Sequence, residues 1–375
     1  MARASPGVVA ALIASSRALL EILVDDTTTV VAFLEDITDL SDSERTALSG
    51  RVGAGITDQT MEMLGFVWRD VAEQLIGSSV ALADYVYESA TGALVLAEAK
   101  GSITSAATQG GADSTAHNAY LRQVQPYVYL SPPGPKGGPS VGFIEHGYAL
   151  AFAARPGHAP GPTAPPPPAI AADAFLAVAE TDPTAIAPTA GAGPGTGTAL
   201  SVQIPPPPPP ARTHEPQSFD LRLGNYRAVF LLANAPSVVA KIDAVLLKSD
   251  ISPGIQSFVQ VVCGDRSFLI GIDPTFPSID ALRPHLSGWV FAVALGPAEK
   301  FLHQLANAFN QGFSRAVPVQ QLVRGGGEKP PPFIMSPDGF AMLRRDATFE
   351  THEVTWNPGN GQITRFDLPP NTPLR

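Results

Sequence analysis

The 375-residue chain has a single cysteine, Cys263. An internal disulfide is therefore excluded, and this usage fits a reducing compartment. Cys263 ends the apolar run Phe258-Val-Gln-Val-Val-Cys263, where a free thiol behaves as a small hydrophobe. Charged residues are also scarce, 15 % against 45 % apolar. A long uninterrupted apolar run is missing. The best candidate, Val8 to Val24, is broken by Arg17 and Glu21, whereas a membrane span needs about 18–20 apolar residues. The same charges spoil a signal-peptide core. The expected location is the cytoplasm, or outside it by export without a cleaved signal, with no membrane partner. The histidines show no metal-ligand spacing, and no Ser/His/Asp set can be assigned.

What the chain does have is proline, 38 residues in all, and a net charge of −10. The charge is uneven: residues 1–155 carry −8, residues 156–216 carry −3 and residues 217–375 carry +1. An acidic front half argues against broad attraction to a polyanion, but it leaves room for a metal site built of carboxylates. Proline, glycine and alanine concentrate at 156–168 and 188–216. The six-residue run Pro205–Pro210 should form polyproline II, a stiff spacer or a ligand for an aromatic groove. Three segments follow: 1–155 as a first domain, 156–216 as a linker with a helical island near Ala171–Glu180, and 217–375 as a second α+β domain.

Ser5-Pro6 opens a helix with a capping hydroxyl followed by proline. Val9, Ile13, Ser16, Leu20, Leu23, Thr27, Val30 and Leu34 give it one stripe over about 30 residues, which packs on its own domain or forms a homo-oligomer seam. Ser41-Asp-Ser-Glu44 is a capping box for a short helix. A further helix is predicted from Thr57-Asp58 to about Ile76, burying Met61, Leu64, Trp68, Val71 and Leu75. It carries Glu73, and residues 76–80 then leave little room for another strand. A short helix at about Thr115–Val124 and strands at Tyr127–Leu130 and Val141–Ala153 follow. In the last segment Val229–Leu232, Ser257–Val262, Phe268–Ile272 and Trp289–Leu295 read as strands. Ser237–Lys248 and Pro297–Phe313 read as helices. Gly325–Lys329 lacks the ending of a phosphate loop and reads as a plain loop.

Residues 80–101 carry the chemistry. Tyr85-Val-Tyr87 favours a strand, Thr91-Gly92 interrupts, and Ala93–Ala97 resumes. A helix also fits the spacing of Leu75, Leu82, Ser89, Ala93 and Leu96, because one internal glycine costs only about 1 kcal/mol. As a hairpin with the three-residue loop Ala90-Thr91-Gly92, Ser89 pairs with Ala93 and Asp84 faces Glu98. Side-chain alternation then puts Asp84, Glu98 and Lys100 on one face. A four-residue loop would send Asp84 to the opposite face. Two carboxylates across neighbouring strands repel unless a cation lies between them. With the Ala99 carbonyl they form a hard oxygen set suited to Mg²⁺, or alternatively Mn²⁺. A bound water can then act as nucleophile, with Lys100 orienting it or stabilising the transition state.

Asp84 followed by Glu98-Ala99-Lys100 resembles the PD-(D/E)XK nuclease superfamily, with its restriction-endonuclease-like fold, in the forms found in bacterial toxins and defence systems. The resemblance covers about residues 57–130. It implies an α/β restriction-endonuclease-like first domain with extra N-terminal helices, which with the second α+β domain read from residues 217–375 makes an α+β chain. It further implies a metal-dependent endonuclease acting on DNA rather than RNA. Asp84 and Glu98, with Ala99, would be metal ligands and Lys100 the catalytic lysine. Glu73 would match the family's helix acid, and Gln123 is a further candidate. His146, beside Glu145, either lines the cleft or is a hydrogen-bonded histidine of the sheet. Arg344, Arg345 and Arg365 are candidate phosphate contacts, and the second domain is a candidate site for a protein partner. The competing reading is a non-enzymatic oligomeric scaffold. A helix over 78–100 would favour it.

Overall fold

A computed structural model describes residues 6–25, 32–78, 81–89, 92–157, 173–181, 219–247, 249, 253–272, 289–311, 332–344 and 350–366. Pro205–Pro210, Gly325–Lys329, Ala90-Thr91 and Arg345 lie outside them. The protein is of the α+β class. It divides into two units, Ser15–Ser218 and a second made of Met1–Ala14 with Phe219–Arg375.

The first unit is organised on a five-stranded sheet. Helix α1 (Pro6–Leu23), whose residues up to Ala14 are grouped with the second unit, is followed by a two-residue pair, β1 (Val24–Asp25) with β2 (Ala32–Phe33). The long stripe expected of one helix is therefore cut at Leu23, and its members Thr27 and Val30 lie outside the described residues. Helix α2 (Asp42–Met63) starts at the expected capping box: Ser41 accepts from the Glu44 N–H, and Glu44 accepts from the Ser41 N–H. It is a 22-residue helix rather than a short one.

The helix expected over 57–76 is corrected. Gly65 at φ +91 ends α2, a left-handed position that glycine adopts without strain. Phe66–Val71 then forms strand β3, and Ala72–Leu75 a single turn, α3. Met61, Leu64, Trp68 and Leu75 have helical spacing, but cross-strand pairing decides the outcome: Trp68 pairs with Glu88 and Val71 with Tyr85. There is thus a strand between the long helix and the hairpin, and Glu73 sits on a one-turn helix after it.

The hairpin is β4 (Tyr85–Ser89) and β5 (Leu94–Ile103). Tyr85 pairs with Ala97, Val86 with Leu96 and Glu88 with Leu94. The Ser89 N–H donates to the Ala93 carbonyl at 2.9 Å, and Gly92 stands at φ +92. This is the register of the three-residue loop. Helix α4 (Gln109–Ala119) continues as a π-type turn, Tyr120–Val124. It leads to β6 (Ile144–Arg155), which pairs parallel to β5. Tyr127–Leu130 is not a strand. A 3₁₀ turn covers Gln125–Tyr127, and Tyr129 takes φ +64, outside the extended region. Asp173–Glu180, expected as a helical island, is edge strand β7, antiparallel to β6. Its alanines favour a helix in isolation, and pairing overrides that preference. The sheet order is β3-β4-β5-β6-β7.

The two helices cover opposite faces of this sheet. On the α2 side, Met61 packs with Phe66, Tyr87, Val95, Ala97, Tyr148 and Leu150. On the α4 side, small residues allow a close fit: Ala112 and Ala116 meet Ala151, Ala153 and Ala177. Glu98 pairs in register with Ala149 and Lys100 with Ala151, so both carry their side chains on the α4 side.

The second unit holds a seven-stranded antiparallel sheet: β8 (Gln256–Cys263), β9 (Arg266–Ile272), β10 (Trp289–Ala294), β11 (Phe333–Met335), β12 (Phe340–Arg344), β13 (Glu350–Trp356) and β14 (Ile363–Phe366). Its helices are α5 (Phe219–Leu232), α6 (Pro236–Leu246) and α7 (Leu295–Gln311). Val229–Leu232, expected as a strand, closes α5. The helix is buried on several sides, at Leu221, Leu223, Tyr226 and Phe230, and such a run has no period that separates it from a buried strand. Tyr226 stacks on Phe301 at 4.1 Å. Asp338 is buried, taking Asn225 Nδ2 on one oxygen and the Phe340 N–H on the other, both at 2.9 Å. Arg344 and Arg365 lie in strands of this unit.

Candidate active site

Asp84 stands one residue before β4 and is fixed at three atoms. Its carbonyl accepts from the Ala72 N–H at 2.9 Å. Its own N–H donates to Glu98 Oε2 at 2.9 Å. Its Oδ2 accepts from the Ala99 N–H at 3.1 Å. The Asp84 carboxylate is solvent-exposed, while Glu98 is 0 % exposed. Lys100, two residues along the same face of β5, pairs with Glu98 Oε1 and is 39 % exposed. The structure therefore brings together Asp84, Glu98, Ala99 and Lys100.

A buried carboxyl beside a second carboxyl resists ionisation. Glu98 is pushed up to about 7, first by burial and then by the Asp84 charge, with Lys100 opposing both. A cation bound between Asp84 and Glu98 would remove that resistance, so the donor set fits a hard divalent ion such as Mg²⁺. Among the described residues no group of three or more His, Cys, Asp or Glu side chains is placed to hold a metal. Asp84 and Glu98 are the two carboxylates brought together here, with the Ala99 carbonyl as the remaining candidate oxygen. Glu73 is exposed and contributes instead to the wall of a cleft of about 560 Å³ that Asp84 also lines. Gln123 makes no hydrogen bond to either carboxylate among the described residues. Its Nε2 donates to the Leu82 carbonyl at 3.2 Å, holding the backbone two residues before Asp84.

Two glycines set the position of Lys100. A Cβ on Gly101 would stand 1.8 Å from the Ser49 carbonyl oxygen, and one on Gly53 would stand 2.8 Å from the Lys100 carbonyl oxygen. Helix α2 therefore lies against the backbone of Lys100-Gly101 with no side chain between them. His146 is on the α2 side of β6 with Tyr148, whose ring lies 4.6 Å away, and its Nε2 is 3.5 Å from Glu180 Oε2. It belongs to the sheet and does not line the cleft on the other side.

Sequence reasoning missed two further residues of the cleft lining, Pro135 and Lys136. The segment Ser131–Pro139 reads as an ordinary turn-rich loop. Its one signal is a lone lysine among glycines and prolines. Comparison with protein-family models, curated proteins and solved structures finds no match to this chain. Among the described residues no helix is long and apolar enough to cross a membrane.

Proposed function

We propose that the first unit is a metal-dependent nuclease of the PD-(D/E)XK type, hydrolysing phosphodiester bonds in DNA. The observation that carries this reading is the register of the hairpin. It sets Asp84 against Glu98 across two strands and leaves Lys100 on the same face. The element order supports it further: long helix, three antiparallel strands, crossover helix, then a strand parallel to the third. This is the order expected of a restriction-endonuclease-like core. The segment whose helical form would favour a scaffold is extended at 85–89 and 94–100.

In this reading Asp84 and Glu98, with the Ala99 carbonyl, would hold Mg²⁺ or Mn²⁺, which when bound would supply a polarised water and neutralise charge on the phosphate. Lys100 exchanges its present hold on Glu98 for the attacking water or a non-bridging phosphate oxygen, where a fixed cation stabilises the transition state. The Asp84 N–H keeps Glu98 Oε2 oriented while Oε1 changes partner. Glu73, on the open wall, accepts a proton through solvent. Gln123 positions Asp84 through the backbone of Leu82. The second unit would serve targeting or assembly.

Plasmid nicking with Mg²⁺, with and without EDTA, tests the reading. Wild type should nick only with metal, and Asp84→Asn and Lys100→Ala should each lose at least about 100-fold. Metal-independent nicking, or unchanged rates in these variants, rejects the assignment.

A further inference from the structure

The proposed chemistry requires a polyanion to approach three acidic side chains, Glu73, Asp84 and Glu98, in a chain segment of net charge −8. The cation nearest the reacting atoms, Lys100, is already engaged by Glu98. Lys136 lines the same cleft as Glu73 and Asp84, and is exposed with no ion-pair partner among the described residues.

The loop that carries Lys136 is held in place. The Gly77 N–H donates to the Pro133 carbonyl at 2.7 Å, and a Cβ on Gly77 would meet the Gly134 carbonyl oxygen at 2.5 Å. The loop thus seats on the residues just after α3. Within it the Gly134 N–H donates to Gly138 O, Gly137 to Gly134 O and Gly138 to Pro135 O, each at 3.1 Å. Its base is fixed where Tyr129 N–H meets Ile144 O and Ile144 N–H meets Leu130 O, both at 2.8 Å. Lys136 itself adopts φ 55, ψ 30, a left-handed conformation disfavoured for any residue with a Cβ. Glycines at 134, 137 and 138 surround it, yet the left-handed position carries a lysine. Strained residues of this kind cluster at ligand clamps.

We propose that the Gly134–Gly138 loop is the substrate-binding rim of the site, and that Lys136 contacts a backbone phosphate of the nucleic acid next to the one attacked. This rests on the nuclease reading, since that reading defines which anion enters the cleft. Lys136 acts in binding. Lys100 acts in the chemical step.

The test uses the full-length chain, with steady-state cleavage in Mg²⁺ and anisotropy binding of a labelled DNA duplex in Ca²⁺ at several salt concentrations. Lys136→Ala keeps the same backbone demand and should raise KM about tenfold with kcat within about twofold. It should also reduce the salt slope of binding by about 0.9, the value for one lost phosphate contact. Lys136→Arg should restore both, and unchanged melting temperatures would exclude a folding defect. An unchanged KM and slope in Lys136→Ala overturns the inference even if wild type cleaves. If wild type binds without cleaving, the nuclease reading fails, and the slope alone then supports or overturns the Lys136 contact. Absence of binding overturns it as well.

Discussion

Asp84 and Glu98 clasp each other across the hairpin: the Asp84 N–H donates to the Glu98 carboxylate, and the Asp84 carboxylate accepts the N–H of the residue after Glu98. Each side chain is thus oriented by the backbone of the opposite strand. A one-residue slip of the hairpin would break both bonds at once.

The Glu98 proton makes stability depend on pH. Its folded value of about 7 lies above the ordinary 4.5, so folding favours the protonated acid. The contribution is complete below pH 4.5, declines as pH rises through about 7, and is absent above that. In EDTA the first unit should lose about 2–3 kcal/mol between these limits, the full shift being discounted for its exposed Lys100 partner. Glu98→Gln should flatten that window, and Mg²⁺ should offset the loss at pH 8. Chemical denaturation at pH 4.5, 6 and 8 checks this. An equal loss in Glu98→Gln would rule out Glu98 as the source.

Lys100→Ala removes the partner of a buried carboxylate. Beyond its effect on cleavage, it should lower stability at pH 8 by about 1–2 kcal/mol, less than for a fully buried pair because Lys100 is partly exposed. The penalty should shrink at pH 5, where Glu98 is protonated. Melting curves at the two pH values separate this effect from catalysis.

Gly101→Ala puts a methyl group into the Ser49 carbonyl. Helix α2 must lift off the sheet, at a cost of about 3 kcal/mol or more. Gly55→Ala, on the same helix with open space around it, should be neutral or slightly stabilising. Equal melting temperatures for the two variants would contradict the close approach.

Asp338→Ala in the second unit leaves Asn225 Nδ2 and the Phe340 N–H without their acceptors. A loss of about 2–4 kcal/mol is expected in the unfolding of that unit. The cleavage proposed for the first unit, assayed below the new transition, should be unaffected.

Much of the site was legible because hairpin chemistry is local. Gly92 and the alternation of Leu94, Leu96, Glu98 and Lys100 point to the observed register and face, while only the pairing of β4 with β5 excludes a helix and a four-residue loop. Glu73 was misplaced onto a long helix because Met61, Leu64, Trp68 and Leu75 match a helical stripe, and only the pairing of β3 with β4 breaks it. The strand at Asp173–Glu180 was hidden by its alanines, whose partner β6 lies well upstream in the chain. Lys136 was passed over for a related reason. What would give it the proposed role is the docking of its loop at Gly77, a contact between distant segments that no local pattern announces.

Strand β5 has one neighbour close in sequence and one far away. The β4 hairpin can close as soon as residues 84–98 exist. The parallel partner β6, which covers Glu98 through Ala149, arrives about fifty residues later and must wait for the α4 crossover. The hairpin alone brings the two carboxylates together, whereas the burial that raises the proton affinity of Glu98 belongs to the completed sheet.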